Sequence, residues 1–196
     1  MFESMINFLE EKETDRFKLE KFEINESNRS FRNPIPYGNY IRLVDKTRGW
    51  NGCVMSDTPM EHRTNYEILN KANGDILIGG LGIGMILVPL MKKEEVKSIT
   101  IVEKYQDIID MVGEQLPLND KVKIIQGDIF NNNFPRGTKF DVVYFDVWNY
   151  INSDVYEEMK QLKKNYRRCL KSKKENPNSW MGCWAEYEAK NDRRLV

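Results

Sequence analysis

The sequence predicts an α/β fold in which an open, doubly wound and mostly parallel sheet has helices on both faces. Two observations favour this class. Short apolar runs recur along residues 75–184 with helix-like segments between them, as in buried parallel strands joined by crossover helices. The first four runs also end in glycine or in an acidic residue. Parallel sheets bind ligands beyond the carboxyl ends of their strands, so these ends can converge on one crevice.

A small β layer is predicted ahead of this sheet. Residues 40–44 alternate like a half-exposed strand, and residues 51–55 can form its hairpin partner. We therefore expect an N-terminal extension with a β hairpin over residues 1–56 and a ligand-binding domain over residues 57–196.

A helix is predicted over residues 59–72. Thr58-Pro59-Met60-Glu61 fits a capping box with proline at the first helical position, and Asn73-Gly74 is a stop signal. Around its first turns lies a polar cluster of Asp57, Glu61, His62 and Arg63. The cluster belongs either to the mouth of a pocket or to the polar surface of an ordinary capped helix.

The first strand of the sheet runs into spaced glycines. Residues 75–84 form an apolar run that ends in Gly80, Gly82 and Gly84, and glycine permits both positive φ and close approach of a ligand. This pattern indicates either a nucleotide-binding turn or a plain tight turn. The dinucleotide fingerprint fails because Met85 occupies its last glycine position, and a P-loop fails because Met85-Ile86 follows Gly84 where lysine is required.

Acidic residues end the next three strand-like runs. The strand-like run 98–102 is followed by Glu103, about 20 residues after the glycines. In doubly wound sheets an acidic residue at this distance binds the ribose hydroxyls. Residues 122–125 are followed by Asp128, and residues 140–145 by Asp146.

The rest of the chain predicts one more helix and strand. Asn152 or Ser153 can cap a helix whose core-facing stripe is Val155, Met159, Leu162, Tyr166 and Leu170. Residues 180–184 predict a fifth, buried strand. Residues 185–196 suffice for about three helical turns.

The G-x-G-x-G turn, followed by an acid after the second strand and another after the third, resembles the class I S-adenosylmethionine-dependent methyltransferase superfamily over residues 75–185. The resemblance implies a Rossmann-like sheet of order 3-2-1-4-5, here C-terminally shortened. It also implies S-adenosylmethionine, or a related nucleoside such as S-adenosylhomocysteine or methylthioadenosine, as the cofactor. The glycines would pass under the methionine part and ribose, Glu103 would take the ribose hydroxyls, and Asp128 the adenine amino group. The cofactor-binding residues implied are Gly80, Gly82, Gly84, Glu103, Asp128, Ile129 and Asp146.

Within that superfamily the chain is similar to the spermidine synthase-like branch. Ile78 stands where most methyltransferases carry an acid, and both Ile78-Gly79-Gly80 and Val102-Glu103 match the branch. The branch's catalytic signature is an aspartate followed three residues later by aspartate and proline. This chain has Asp146-Val147-Trp148-Asn149-Tyr150, so only the first acid is kept.

Three functions remain open on the sequence. One is a methyltransferase with an unidentified acceptor, in which Asp146 is the catalytic base or orients the acceptor. The second is a spermidine synthase-like aminopropyltransferase, and the third is a non-catalytic interaction module that keeps the fold. Tyr144, Trp148 and Tyr150 are either walls of the acceptor pocket or core packing, with packing favoured for Tyr144.

The composition of the chain predicts its partners, its location and the state of its cysteines. The 196 residues carry 30 basic and 30 acidic side chains, a balance that gives no general attraction to nucleic acid. Residues 1–11 lack the basic and apolar pattern of a signal peptide, so a cytoplasmic, non-membrane protein is expected. Three widely spaced cysteines and a single histidine argue against a metal site or a disulfide framework. The open edge of the sheet is expected to be covered either by the N-terminal β layer or by a second subunit, and the second case predicts a homodimer.

Overall fold

Two sheets, one antiparallel and one parallel, organise the chain. The computed structural model describes residues 2–30, 35–193 and 195. Its strands are β1 Lys12–Glu13, β2 Phe17–Ile24, β3 Gly38–Asp45, β4 Cys53–Ser56, β5 Gly74–Gly79, β6 Val96–Glu103, β7 Val122–Gln126, β8 Val142–Phe145 and β9 Trp180–Cys183. Its helices are α1 Pro59–Thr64, α2 Tyr66–Lys71, α3 Leu87–Met91, α4 Gln106–Val112, α5 Ser153–Tyr166 and α6 Glu186–Lys190.

The parallel sheet has the order β7-β6-β5-β8-β9, which is 3-2-1-4-5 when its strands are counted along the chain. Every neighbouring pair is parallel, so the predicted fold class is confirmed. In the central strand β5, Ile76, Leu77 and Ile78 are all buried. Alternate residues of a strand point to opposite faces, so both faces of the sheet are covered. The strand order reverses at β5, and the carboxyl ends of β5 and β8 open the crevice there.

The helix after β8 follows its predicted pattern. The Asn152 side chain caps α5 by accepting from the Val155 amide at 2.8 Å, which satisfies one of the free donors of the first turn. The first four residues of the predicted stripe are buried, whereas Leu170 lies beyond the helix and is partly buried beside Phe140.

The N-terminal layer is larger than the predicted hairpin. β3 and β4 form that hairpin, but they belong to a four-stranded antiparallel sheet of order β1-β2-β3-β4. β2 was not predicted, because the charged pair Glu20-Lys21 breaks its apolar alternation and only Phe17 and Leu19 are buried. Phe17 and Leu19 join Ile41 and Leu43 in the hydrophobic cluster that also contains the main sheet. The division of the chain at residue 57 stays a prediction.

The helix predicted over residues 59–72 is two helices, α1 and α2. The buried Asn65 separates them with φ −99° and ψ 2°. Its side chain donates to the Glu61 carbonyl at 3.2 Å and accepts from the Tyr144 hydroxyl at 2.8 Å. Tyr144 is therefore a buried packing residue, as favoured above.

The predicted capping box is wrong. The Thr58 side chain makes no capping hydrogen bond to α1, and its hydroxyl instead lies 3.0 Å from that of Ser56. The Glu61 side chain accepts from Trp184 Nε1 at 3.1 Å. Tertiary partners outweigh the local pattern at both positions.

α6 is the last helix or strand among the described residues. Within residues 2–30, 35–193 and 195, the parallel sheet gains no strand after β9. No helix in this described part has the length and apolar character needed to cross a membrane. The three cysteines are free thiols, with Cys169 and Cys183 buried and Cys53 exposed.

Candidate functional site

A cavity of about 210 Å³ lies at the carboxyl ends of the parallel strands, against the N-terminal sheet. The strand ends contribute most of its polar lining, and β4 and the β3–β4 connection close it from the other side with Val54, Met55 and Arg48. Six of the seven predicted cofactor-binding residues line this cavity: Gly80, Gly82, Glu103, Asp128, Ile129 and Asp146. Gly84 does not line it.

The glycine turn is required by packing within the protein itself. Gly80, Gly82 and Gly84 have φ of +96°, +54° and +73°, which side chains of L-residues rarely adopt. A Cβ on Gly80 would lie less than 3.0 Å from the Asp146 carbonyl oxygen, and one on Gly82 less than 3.0 Å from Met55 Sδ. An added Cβ on Gly84 would meet Leu116 in the same way, and the expected place of Gly84 beneath a ligand stays a prediction.

Glu103, at the end of β6, is fixed by two backbone donors. Its Oε2 accepts from the Leu81 amide at 2.8 Å and its Oε1 from the Tyr105 amide at 2.9 Å. Burial raises the pKa of this carboxyl, and the backbone hydrogen bonds oppose that rise. Each oxygen retains a lone pair for a further donor. The bond to Leu81 also ties β6 to the glycine turn, a role that the spacing of residues did not indicate.

Asp128 follows β7 and lies beside the cavity. Its Oδ1 accepts from the Phe130 amide at 3.0 Å, and its Oδ2 pairs with Lys104 Nζ at 2.9 Å. Burial alone would raise the pKa of Asp128, but the bonds from Lys104 and Phe130 outweigh burial and lower it. The buried side chain of Ile129 lies next to it and gives this end of the cavity an apolar wall.

Asp146 and Glu61 are two acids that line the cavity without an ion-pair partner in the described part of the chain. Burial raises the pKa of Asp146 to about 7. Burial and then the charge of Asp146 raise the pKa of Glu61 to about 8, although the bond from Trp184 opposes the rise. Carboxyls with such values exchange protons near neutral pH.

Glu61 is the one member of the predicted polar cluster that lines this cavity. Asp57 is buried and accepts from the backbone amides of Met5 and Ile41 at 2.9 and 2.8 Å. His62 stacks on Phe2 at 4.9 Å between ring centroids, and Arg63 is exposed. Since acids are common in the first turn of any helix, the sequence contained no signal that singled out Glu61.

Glu61→Gln is expected to stabilise the protein at alkaline pH. The folded-state pKa of about 8 lies above the ordinary value of 4.5, so the contribution of Glu61 to stability is fully present below pH 4.5 and is lost as the pH rises through 8. Glutamine mimics the protonated form, and the gain in unfolding free energy at pH 8.5 should be on the order of 2–4 kcal/mol. Urea unfolding at pH 5 and 8.5 measures it. The exposed Glu67→Gln is the control, and an equal response of both variants would contradict the prediction.

The aromatic residues after β8 differ in their positions. Trp148 lines the cavity and donates from Nε1 to Glu158 Oε2 at 3.0 Å. Tyr150 is exposed and is not among the cavity-lining residues, so its proposed place in the wall is not supported. Asn149 does line the cavity, and it accepts from Arg48 Nη1 at 2.8 Å. Arg48 was not predicted as a site residue because it comes from the N-terminal layer, far from the strand ends in sequence.

The strand order, with the cavity at the carboxyl ends of the strands, is that of a methyltransferase-like α/β fold. The fold is similar to that of the spermidine synthase from Thermotoga maritima, with a TM-score of 0.51 and 14% identity over 83% of this chain and 53% of that one. It is also similar to a spermidine synthase in complex with the transition state analogue AdoDATO, with a TM-score of 0.50 and 17% identity over 83% of this chain and 52% of that one.

The sequence comparisons cover less of the chain. The polyamine aminopropyltransferase of Pyrobaculum aerophilum is 30% identical over 95 residues, which are 43% of this chain and 33% of that protein. No family model matches the chain. The chain therefore spans about a third of that curated relative and about half of each spermidine synthase structure.

Proposed function

We propose that the chain binds S-adenosylmethionine in this cavity and transfers its methyl group to an acceptor. The observation that carries the proposal is the placement of Glu103 and Asp128, which end neighbouring strands and line one cavity together with the glycine turn. Two hydroxyls of a ribose and an exocyclic amino group of a base are donors, and these two carboxylates are acceptors.

The residues present fit such a nucleoside. Glu103 is held rigidly by its two backbone donors, so it can accept from hydroxyls without reorganisation. Asp128 is kept ionised by Lys104, and the apolar Ile129 suits the face of a base. Gly80 and Gly82 line the cavity with backbone atoms alone, which allows a ligand to approach the backbone.

The chemistry of transfer makes few demands on the protein. S-adenosylmethionine supplies a methyl group already activated by its sulfonium. The chain must hold the acceptor in line and, for an oxygen or nitrogen acceptor, remove a proton. Asp146 lines the cavity with a pKa of about 7, so its carboxylate can take that proton near neutral pH.

Calorimetric titration tests the proposal. The purified chain is titrated in parallel with S-adenosylmethionine, S-adenosylhomocysteine, methylthioadenosine and NAD. Binding of the first three but not of NAD supports the nucleoside site and justifies a screen for the acceptor. If none of the four binds, the proposal fails and a non-catalytic interaction module becomes the leading function.

Glu103→Ala should weaken binding of methylthioadenosine about ten- to a hundredfold, since hydrogen bonds to a charged group contribute roughly 1.5–3 kcal/mol. Calorimetry measures the change at a temperature where thermal unfolding shows both proteins to be folded. The exposed Glu114→Ala is the matched control and should bind like the parent. Unchanged affinity in Glu103→Ala would refute the assigned role.

Aminopropyl transfer is the second candidate function. The similarity to spermidine synthases extends over 83% of the chain, and the carboxylates of Glu61 and Asp146 in the cavity suit an ammonium group. Asn149 opposes it, because the similar branch carries an aspartate there. Turnover of decarboxylated S-adenosylmethionine with putrescine would decide in its favour.

A further inference from the structure

Arg48 is a cation that lines the cavity on the side of β8. It extends from the β3–β4 connection across the gap between the two sheets, and its Nη1 donates to Asn149 Oδ1 at 2.8 Å. Asn149 in turn donates from Nδ2 to the Cys53 carbonyl at 3.2 Å. The other cation that lines the cavity in the described ranges, Lys104, is paired with Asp128 at the opposite end. Arg48 is thus the positive charge at the β8 end.

The Arg48 guanidinium retains hydrogen-bonding capacity. One of its five N–H donors is used on the neutral amide of Asn149. Its Nε lies 3.6 Å from Asp45 Oδ2, but that carboxylate already accepts from Arg16 Nη2 at 2.8 Å and from the hydroxyl of Thr47 at 2.6 Å. The Nη2 group of Arg48 has no hydrogen-bond partner among residues 2–30, 35–193 and 195. An anion can therefore bind at Nη2 while the Nε of Arg48 keeps its contact with Asp45.

The proposed orientation of the nucleoside directs its amino-acid end toward Arg48. In this orientation Asp128 and Glu103 hold the base and the ribose at the ends of β7 and β6. The next strands of the sheet after β6 are β5 and then β8. The substituents on sulfur then extend toward Asp146 and Asn149. S-adenosylmethionine and S-adenosylhomocysteine carry a carboxylate at this end, whereas methylthioadenosine and decarboxylated donors carry none.

We propose that Arg48, positioned by Asn149, binds the carboxylate at the amino-acid end of the nucleoside. This inference rests on the proposed function. A planar guanidinium matches the geometry of a carboxylate and can bind it through two parallel hydrogen bonds. Arg48 is accordingly a specificity-determining residue. It makes the site prefer nucleosides with this carboxylate, such as the methyl donor S-adenosylmethionine, over those without it, such as the aminopropyl donor decarboxylated S-adenosylmethionine.

The test compares the affinities of S-adenosylhomocysteine and methylthioadenosine by calorimetry in the parent chain, Arg48→Gln, Asn149→Asp and Arg63→Gln. Arg48→Gln removes the charge, and Asn149→Asp adds a carboxylate that competes for the guanidinium. Arg63 is an exposed arginine that does not line the cavity, so Arg63→Gln is the matched control. Circular dichroism and thermal unfolding establish that each variant is folded.

The parent and Arg63→Gln should bind S-adenosylhomocysteine more tightly than methylthioadenosine. Both site variants should lose about ten- to a hundredfold of that preference, as expected for a charge-assisted hydrogen bond, while methylthioadenosine binds as before. Equal affinities in the parent, or an unchanged preference in Arg48→Gln, would overturn the role of Arg48 and leave the nucleoside site intact. Failure of both ligands to bind the parent would instead overturn the proposed function and this inference with it.

Discussion

Asp146→Asn should lower kcat about a hundred- to ten-thousandfold, the usual contribution of a positioned general base. Asparagine keeps the shape of the side chain but cannot take a proton. The Asp146 carboxyl has a pKa raised by burial to about 7, so the parent's activity should rise with pH between about 6 and 8 as the ionised base accumulates. The variant should lose this rise.

Release of S-adenosylhomocysteine from S-adenosylmethionine, with an acceptor found by screening, measures both effects. Asp154→Asn, an exposed acid on α5, is the control and should keep the parent's rate and pH profile. A residual rate close to that of the parent, with the same rise around pH 7, would show that another group removes the proton. Glu61, which lines the same cavity, would then be the residue to substitute next.

Gly80→Ala should destabilise the fold by roughly 2–6 kcal/mol. The φ of +96° is unfavourable for alanine, at a cost of about 1–3 kcal/mol. The new Cβ would also meet the Asp146 carbonyl, which is backbone and cannot rotate away, and such overpacking costs about 1–3 kcal/mol more. The ends of β5 and β8 would have to separate, so nucleoside binding should weaken in parallel.

Gly137→Ala separates the two contributions. Gly137 has a similar φ of +94°, but nothing lies within 4 Å of its added Cβ. Urea unfolding should therefore show a smaller loss for Gly137→Ala, limited to the backbone cost. Equal losses in the two variants would mean that the contact between Gly80 and Asp146 does not constrain the strand ends.

The sequence was sufficient to predict the strands of the parallel sheet because these strands are buried on both faces. Such strands appear as short, nearly continuous apolar runs, and each of the five was predicted at the place where the structure has it. The acids that follow three of them were predicted to converge, since parallel strands end at one edge of the sheet. Glu103, Asp128 and Asp146 do line one cavity, although their chemical roles stay predictions.

The errors share a physical cause. The local signals for a capping box and a single helix over residues 59–72 were sound, but Trp184 and Tyr144, more than 70 residues away in the chain, supply stronger partners to Glu61 and Asn65. β2 was missed because its apolar alternation is interrupted by exposed charges. Local propensity is a weak prior wherever a buried polar group finds a distant partner.

The sequence by itself therefore determined the class of fold, the strand order implied by its resemblance, and three of the acids in the cavity. Only the tertiary structure decided which other groups join them. Arg48 and Glu61 lie in the N-terminal layer and in α1, and they line the cavity because the antiparallel sheet packs over the strand ends. Contacts between segments so far apart depend on the packing of two layers, which no spacing along the chain encodes.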